Sequence, residues 1–357
     1  MTFDRTKTAV ERSIGGSVLV FVAIGPFLVT DFWMDTILTQ TFIVGVVAAS
    51  LILLSAYGGM ISLDQTALAG IAGYALGNMV SQRIPGGETK GLTLGWDPTL
   101  ALVAAIAITT LFGVVFGALA SRSFGIYFLM LTLTFGVIAN LFVGSVTQLG
   151  GFSPIAGIDR YTPGFIGDIV TDRQRLYYIA LIVAVVVYVL VRYLMRTPFG
   201  IAFQGVRDEP VRMASLGYNV ALHRTLAFAL GAFIASLGGV LSVWWNGQIS
   251  PSNLGLNAVI ELLVIAVIGG LTRIEGAWLG AFAYILINNQ ASNWIPTEGL
   301  PVIGGSFNTV IGLVFLAIVI VSPDGLMGLW DRLWNSARGR GGTGEPAVAA
   351  TPAGPQT

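Results

Sequence analysis

The sequence predicts an all-α integral membrane protein, a polytopic bundle of about 10 transmembrane helices with both termini in the cytoplasm. The 357 residues are 55% hydrophobic and only 10% charged, with a mean hydropathy of +0.81, whereas soluble domains are about one quarter charged. Apolar stretches recur along nearly the whole chain, and many approach the ~20 helical residues that cross a hydrocarbon core of about 30 Å. Cationic residues also sort into alternate loops, as the orientation rule for membrane proteins requires.

Ten apolar segments are candidate spans. The first, at 14–30, follows a basic stretch but lacks a small-residue cleavage site, so we interpret it as an anchor helix. The segments at 62–80, 257–271 and 276–291 are short or broken by glycine, so each is either a full span or a half-helix. In chain order the segments are 14–30, 37–56, 62–80, 99–120, 125–147, 177–195, 224–246, 257–271, 276–291 and 305–322.

The positive charges predict the orientation of these spans. With the amino terminus inside, thirteen of the 18 Lys and Arg residues fall on the cytoplasmic side and five fall outside. Because cationic residues near short loops stay in the cytoplasm, this sorting favours ten spans and two cytoplasmic termini. Two long outer loops, at 81–98 and 148–175, and one sizeable inner loop, at 196–223, connect the spans.

The domain organisation follows from the same pattern. Residues 1–335 are predicted to form a single transmembrane domain, and residues 336–357 a disordered cytoplasmic tail of Gly, Ala and Pro without apolar periodicity. Small residues spaced four apart predict close approach of helices, because bundles in lipid are held by van der Waals packing. The candidate packing residues are Gly113 and Gly117 in GVVFG and Gly276 and Gly280 in GAWLG.

Composition excludes several classes of function. Eighteen cationic and 18 acidic residues leave no basic surplus for nucleic acid, so no nucleic-acid partner is expected. Zero Cys and a single His, His223, exclude a structural zinc site and a disulfide framework. The chain carries neither a Ser/His/Asp set nor GxxxxGK[ST], so we expect no catalytic residue, metal or cofactor in it. If ATP energises transport, another subunit hydrolyses it.

The inner loop has the most informative chemistry. From Arg196 it reads RTPFGIAFQGVRDEPVRMASLGYNVALHRTLAF, and residues 200–216 predict a short helix broken near Pro210. Both charge signs stand beside apolar residues, a surface that suits docking into a groove on a cytoplasmic protein. The alternative is a solvated connector whose charges enforce topology. The candidate docking residues are Arg207, Asp208, Glu209, Arg212 and Gly217.

Longer motifs identify a family. They are SRSFGIYFLMLTLTFGVI from Ser121, TPFGIAFQGVRDEPVRMASLGYNV from Thr197, LAFALGAFIASLGGVLSVWWNGQISPSNLGLNAVIELLVIAVIGGLTRIEGAWLGA from Leu226 and SPDGLMGL from Ser322. Together they cover most of the region 55–330. In this order and spacing the chain resembles the LivM-type permease subunits of ABC importers for branched-chain amino acids.

The resemblance implies a multi-pass permease in the bacterial cytoplasmic (inner) membrane that passes branched-chain or related small amino acids inward and is not itself an enzyme. The implied partners are a LivH-like second permease, LivG- and LivF-like ATPase subunits that bind ATP and Mg, an extracytoplasmic substrate-binding protein and membrane lipid. The inner loop would then be the ATPase-coupling loop. Similar permeases carry urea, short amides or other small polar solutes. An ion-coupled secondary transporter, which would need buried ionisable residues and an inverted repeat, is a further alternative.

The chain departs from the family pattern at SLDQTALAGIAGY, where Asp64 stands in place of an expected glycine. Asp64 lies about two residues from the inner end of its span, where water or a partner can reach it. We expect either a polar gate or interhelical contact at Asp64, or simple hydration at the membrane interface.

Polar residues in the outer halves of three spans predict a substrate path. Glu261 lies about 6 Å and Asn140 about 10 Å below the outer boundary, at 1.5 Å per helical residue. Ser242 and Asn246 lie near the outer end of the seventh span. We expect these residues, with Asp64, to line the path, and Glu261 to attract an ammonium or amide N–H of the solute. Alternatively, Glu261 hydrogen-bonds a neighbouring helix and sets the packing.

Overall fold

The computed structural model describes residues 30–81, 91–164, 166–170, 172–294, 312, 316 and 325–328. The predicted tail at 336–357 and the predicted spans at 14–30 and 305–322 lie outside this part, apart from residue 30 and the helical positions 312 and 316. The helices are α1 (Trp33–Tyr57), α2 (Gln65–Val80), α3 (Pro98–Ala120), α4 (Ile126–Ser145), α5 (Arg173–Leu194), α6 (Pro198–Asp208), α7 (Pro210–Ser215), α8 (Val220–Asn246), α9 (Leu256–Gly269) and α10 (Gly276–Trp294). Two short strands, β1 (Ile155–Ala156) and β2 (Gln248–Ile249), pair antiparallel.

Eight of the predicted spans coincide with helices of this structure, which is that of an all-α membrane protein. Helices α1, α3, α4, α5 and α8 are each long and apolar enough to cross a membrane. The other three, α2, α9 and α10, are the segments that the sequence marks as short or glycine-broken. Helices α2 and α9 have 16 and 14 residues, or about 24 and 21 Å of length, less than a hydrocarbon core of about 30 Å. The total of ten spans and the side of the termini stay predictions.

Helix α8 lies at the centre of the bundle and packs against α1, α2 and α3. Glycines allow these close approaches. A Cβ atom at Gly238 would lie 2.4 Å from Val47 Cγ2 of α1, and one at Gly239 would lie 2.1 Å from the Ala69 carbonyl oxygen of α2. Because real Cβ contacts are not this short, these helices approach at backbone distance, as small residues permit in membranes.

The four glycines predicted for helix packing all lie at such contacts. Gly113 and Gly117 of α3 face α8, where Cβ atoms would lie 2.2 Å from Ala232 Cβ and 2.8 Å from Phe228 Cβ. Gly276 and Gly280 lie where α10 meets α9 and its carboxyl end, within 2.6 Å of backbone oxygens by the same measure.

The bundle has two distinct ends. At the helical-loop end, defined by α6 and α7, the Arg224 guanidinium donates to the carbonyl oxygens of Ser121 (3.1 Å) and Ser123 (2.8 Å). At the same end Glu275 pairs with Arg192 at 3.4 Å. At the strand end, defined by β1 and β2, the connectors are irregular apart from the strand pair and short 3₁₀ turns. The sequence predicts that the helical-loop end is cytoplasmic.

Candidate functional site

The inner loop folds as two short helices, which confirms the predicted helix broken near Pro210. Thr197 caps α6 by accepting a hydrogen bond from the Gly200 N–H, and Pro198 occupies the first turn, where its missing N–H costs nothing. Pro210 cannot donate a backbone bond and begins α7 after the break. Gly217 ends α7 with a φ of +90°, a left-handed conformation that favours glycine.

The outer surface of this loop combines apolar and charged side chains. Ile201, Val211 and Leu216 are exposed by 64%, 78% and 67% of their surfaces. Asp208, Glu209 and Arg212 are exposed beside them. Exposed apolar residues grouped with charges outside a lipid-facing span are typical of a protein-docking surface.

Arg207 has a different position from its neighbours. Its guanidinium donates to the Ala56 carbonyl oxygen near the end of α1, and its Nε donates to Asp208 Oδ1 at 2.8 Å. Phe203, one turn earlier on α6, is completely buried. Of the five predicted loop residues, three therefore face outward, Gly217 shapes the turn after α7, and Arg207 joins the loop to the bundle.

Asp64 lies in a buried polar cluster. The structure therefore does not support the alternative in which Asp64 is hydrated at the membrane interface. Ser62, Asp64 and Gln65 are each 0% exposed. Ser62 Oγ donates to Asp64 Oδ1, and Gln65 Nε2 donates to the same oxygen and to Ser62 Oγ, both at 3.2 Å. Within the described part of the chain, Asp64 Oδ2 and Gln65 Oε1 have no hydrogen-bond partner.

The burial coincides with a break between helices, because residues 59–64 are not helical. The chain leaves α1 at the helical-loop end and runs between helices before α2 begins at Gln65. A Cβ atom at Gly136 of α4 would lie 4.0 Å from Asp64 Cα, and one at Gly231 of α8 would lie 3.5 Å from Gln65 Oε1. These glycines lie about 15 Å along their helices from the helical-loop end. Asp64 is therefore deep in the bundle.

The remaining predicted path residues lie in different environments. Asn140 Nδ2 donates to the Pro251 carbonyl oxygen at 2.6 Å, which ties α4 to the segment before α9. Asn246 bonds within its own helix, to the carbonyl and hydroxyl oxygens of Ser242. Glu261 is exposed on α9, and the Tyr284 side chain of α10 lies close enough to interact with its carboxylate. That proximity is the type of interhelical contact that the packing alternative expects.

Apart from the bonds between Asn246 and Ser242 within α8, the hydrogen bonds described above do not join the five predicted path residues to one another. At the strand end the described residues also form an open polar cleft of about 650 Å³, which sequence reasoning missed. The only available signal was the placement of acidic residues just before two spans. The lining residues, none of them a predicted path residue, are Asp31, Phe32, Met34, Asp35, Thr36, Asp172, Arg173 and Gln174.

An apolar helical bundle with short interior helices, a buried polar cluster and a structured amphipathic loop defines a multi-pass membrane protein. Comparison with known proteins specifies the family. The chain belongs to the family of branched-chain amino acid transport system permease components, whose family model matches residues 33–322.

Individual relatives agree with this assignment. The chain is 25% identical to the high-affinity branched-chain amino acid transport permease LivM of Salmonella typhimurium over 335 residues, 87% of this chain and 73% of that protein. It is 25% identical to BraD of Pseudomonas aeruginosa over 64% of this chain and 74% of that protein. LivH of Escherichia coli is 26% identical over 47% of this chain and 51% of that protein. No solved structure gives a significant match.

Proposed function

We propose that this chain is a permease subunit of an ATP-driven importer that carries branched-chain amino acids across the bacterial cytoplasmic membrane. The observation that carries the proposal is the α6–α7 loop, whose exposed Val211 and Leu216 stand beside exposed Glu209 and Arg212. Such a surface suits docking of ATPase subunits that bind ATP and Mg. The printed names of the LivM, BraD and LivH relatives support the solute class.

Charge supports the cytoplasmic placement of this loop. Among the described residues, seven arginines lie at the helical-loop end: Arg122, Arg192, Arg196, Arg207, Arg212, Arg224 and Arg273. Three lie at the strand end, namely Arg160, Arg173 and Arg175. Because positive charge is retained in the cytoplasm, the helical-loop end faces the ATPases and the strand end faces the substrate-binding protein.

The assembly contains a second, LivH-like permease. This chain matches both a LivM and a LivH permease, so the two kinds of permease are related in sequence. That relation supports an assembly with two related permease subunits. Glu261 is exposed on the surface of α9, and a carboxylate facing lipid at the membrane centre costs ~2.5 to 3.5 kcal/mol on insertion scales. This cost is avoided if another protein subunit or water covers this face of α9. Such a neighbour agrees with a substrate path that includes Glu261, Asn140, Ser242, Asn246 and Asp64.

Reconstitution tests the function. Proteoliposomes should contain this chain, the second permease and both ATPases, with the binding protein loaded with leucine, isoleucine or valine. We expect uptake that requires ATP, ceases with a hydrolysis-deficient ATPase and persists when ionophores collapse ion gradients. Uptake of urea or a short amide but not of leucine would reassign the solute. Uptake driven by an ion gradient without ATPases would instead favour a secondary transporter, the class to which buried Asp64 would be suited.

A further inference from the structure

The junction between α6 and the end of α1 is unusually close. A Cβ atom at Gly58 would lie 2.4 Å from Phe203 Cζ, and one at Gly59 would lie 2.8 Å from Arg207 Cγ. Gly59 also has a φ of +62°, which favours glycine. The Arg207 guanidinium donates to the Ala56 carbonyl oxygen just before this turn. Helix α6 is therefore packed directly onto the turn at Gly58 and Gly59.

The backbone beyond this turn leads into the centre of the bundle. Met60 and Leu63 are 2% and 9% exposed, and the Leu63 N–H donates to Thr132 Oγ1 of α4 at 3.2 Å. Three residues of this stretch or directly after it, Ser62, Asp64 and Gln65, make the buried cluster. This short segment begins where two residues of α6 pack against it and ends at the polar cluster. It can transmit a displacement of α6 to the cluster, because packed protein interiors deform little.

The final turns of α1 favour such movement. Residues Leu53–Tyr57 are π-helical, with a wider turn than the preceding α-helical part, Gln40–Ile52. Insertions of this kind in helices are rare and frequent at functional sites. Ser55 Oγ contacts the Leu271 carbonyl oxygen at 3.4 Å, so the same turns also contact the α9–α10 connector.

We propose that Arg207 and Phe203 are positioning residues that couple α6 to the Asp64 cluster through the turn at Gly58 and Gly59. This route rests on the proposed function. Along it, movement of the ATPases at the α6–α7 loop opens or closes the centre of the bundle. Exposed Glu209 and Arg212 then hold the ATPases, whereas Arg207 passes their movement inward.

The test compares Arg207→Ala and Arg207→Lys with Arg212→Ala in the assembled importer. We expect Arg207→Ala to leave ATPase co-purification and basal hydrolysis unchanged while lowering leucine uptake per ATP about tenfold. Arg207→Lys, which keeps a donor for the Ala56 oxygen, should recover part of this ratio. Arg212→Ala should leave the ratio unchanged even if it weakens ATPase binding. Normal coupling in Arg207→Ala would overturn the inference.

A local probe separates coupling from a merely structural role. The chain contains no Cys, so Ile61→Cys places one thiol in the segment after the turn. We expect its rate of reaction with a membrane-permeant maleimide to change at least threefold between nucleotide-free and ATP-trapped complexes. Arg207→Ala should abolish that change, and an undiminished change would contradict the inference. If ATPases fail to bind the unaltered chain, the proposed function itself is wrong.

Gly59→Ala and Gly217→Ala form a matched pair of backbone variants. Both glycines have positive φ, +62° and +90°, but only Gly59 has α6 within 4 Å of a Cβ position. Both substitutions strain the backbone to a similar extent. We expect Gly59→Ala to reduce the uptake-to-ATP ratio severalfold and Gly217→Ala to leave it unchanged. Equal ratios in two well-expressed variants would argue against the route.

Discussion

In the described part of the chain, each end of the bundle sends a segment without α-helix between the helices, and the two segments differ in what holds them. Residues 59–64 enter from the helical-loop end and lead into α2, whereas residues 247–255, which include a short 3₁₀ turn, enter from the strand end and lead into α9. Each segment is followed by a helix that is too short to cross the hydrocarbon core by itself. Irregular backbone at membrane depth is tolerated where protein surrounds it, and Ser62, Ile249 and Leu254 are accordingly buried.

The two segments make different contacts. The first is packed under α6 by Phe203 and Arg207 and ends in the Asp64 cluster. The second is fixed by the β1–β2 pair and by the bond from Asn140 to Pro251. The same structural device, a helix begun inside the bundle, is therefore attached to the α6–α7 loop at one end and to the β1–β2 connector at the other.

The strongest test of this difference is a double charge reversal, Arg207→Glu with Glu209→Arg. We expect uptake to fall more than tenfold while membrane insertion and ATP hydrolysis continue, because the Arg207 bonds to Ala56 and Asp208 are lost. Uptake and hydrolysis are measured together in proteoliposomes. Glu209→Gln is the control and should have little effect, since an exposed charge pair contributes only ~0 to 1 kcal/mol. Normal uptake by the double variant at ordinary expression would refute the coupling role of the loop.

The next effect concerns the polar cluster. Asp64→Gly should lower uptake about tenfold, because Ser62 and Gln65 lose a buried acceptor and each unsatisfied buried group costs ~1 to 3 kcal/mol. Asp64→Asn, whose amide oxygen can accept the same bonds, should retain most activity. Thr134→Ala, which removes an exposed hydroxyl that bonds only to the Met130 carbonyl oxygen of its own helix, should change uptake less than twofold. A fully active Asp64→Gly variant would mean that the cluster has no part in transport.

A smaller effect is expected at the outer segment. Asn140→Ala removes the donor to the Pro251 carbonyl oxygen and should destabilise the bundle by about 1 kcal/mol. In detergent this corresponds to a melting temperature lower by roughly 2 to 4 °C. Asn246→Ala is the matched control, because its bonds remain within α8. Equal melting temperatures for the two variants would show that the Asn140 bond does not fix the outer segment.

The smallest effect concerns pH at the start of α3. A hydrogen bond from the Thr99 N–H holds the pKa of the exposed Asp97 carboxylate below its ordinary value. A depressed folded pKa adds stability above the unfolded pKa, and this is lost as pH falls below about 4. Asp97→Asn should therefore slightly reduce the difference in melting temperature between neutral and acid pH without altering uptake. A larger difference in the variant would contradict the sign.

The sequence predicts the long helices well because their apolar runs contain few charges, as at 99–120 and 224–246. It also predicts the break at Pro210, since proline cannot continue the backbone bonding of a helix. The depth of Asp64 could not be predicted, because a count of apolar residues treats 62–80 as one helix that begins at the membrane surface. The available signal was the pair Gly58 and Gly59, followed by an apolar segment too short to span.

The candidate path was harder to predict than the fold. Periodicity gives the position of Asn140, Ser242 and Glu261 along each helix but not the tertiary partners of their side chains. Asn140 contacts a carbonyl 111 residues later in the chain, and Glu261 contacts Tyr284 on the next helix. Such pairings depend on the tertiary arrangement of helices, which the spacing of residues within one span does not specify.

The central claim, that the helical-loop end receives the ATPases, is tested most directly by site-specific cross-linking. Val211→Cys and Phe152→Cys place single thiols on side chains exposed by 78% and 72% at opposite ends of the bundle. In the assembled complex, a short thiol-reactive photo-cross-linker at position 211 should capture an ATPase subunit, and the same reagent at position 152 should not. Capture of the ATPase from position 152, or from neither position in a complex that hydrolyses ATP, would contradict the account.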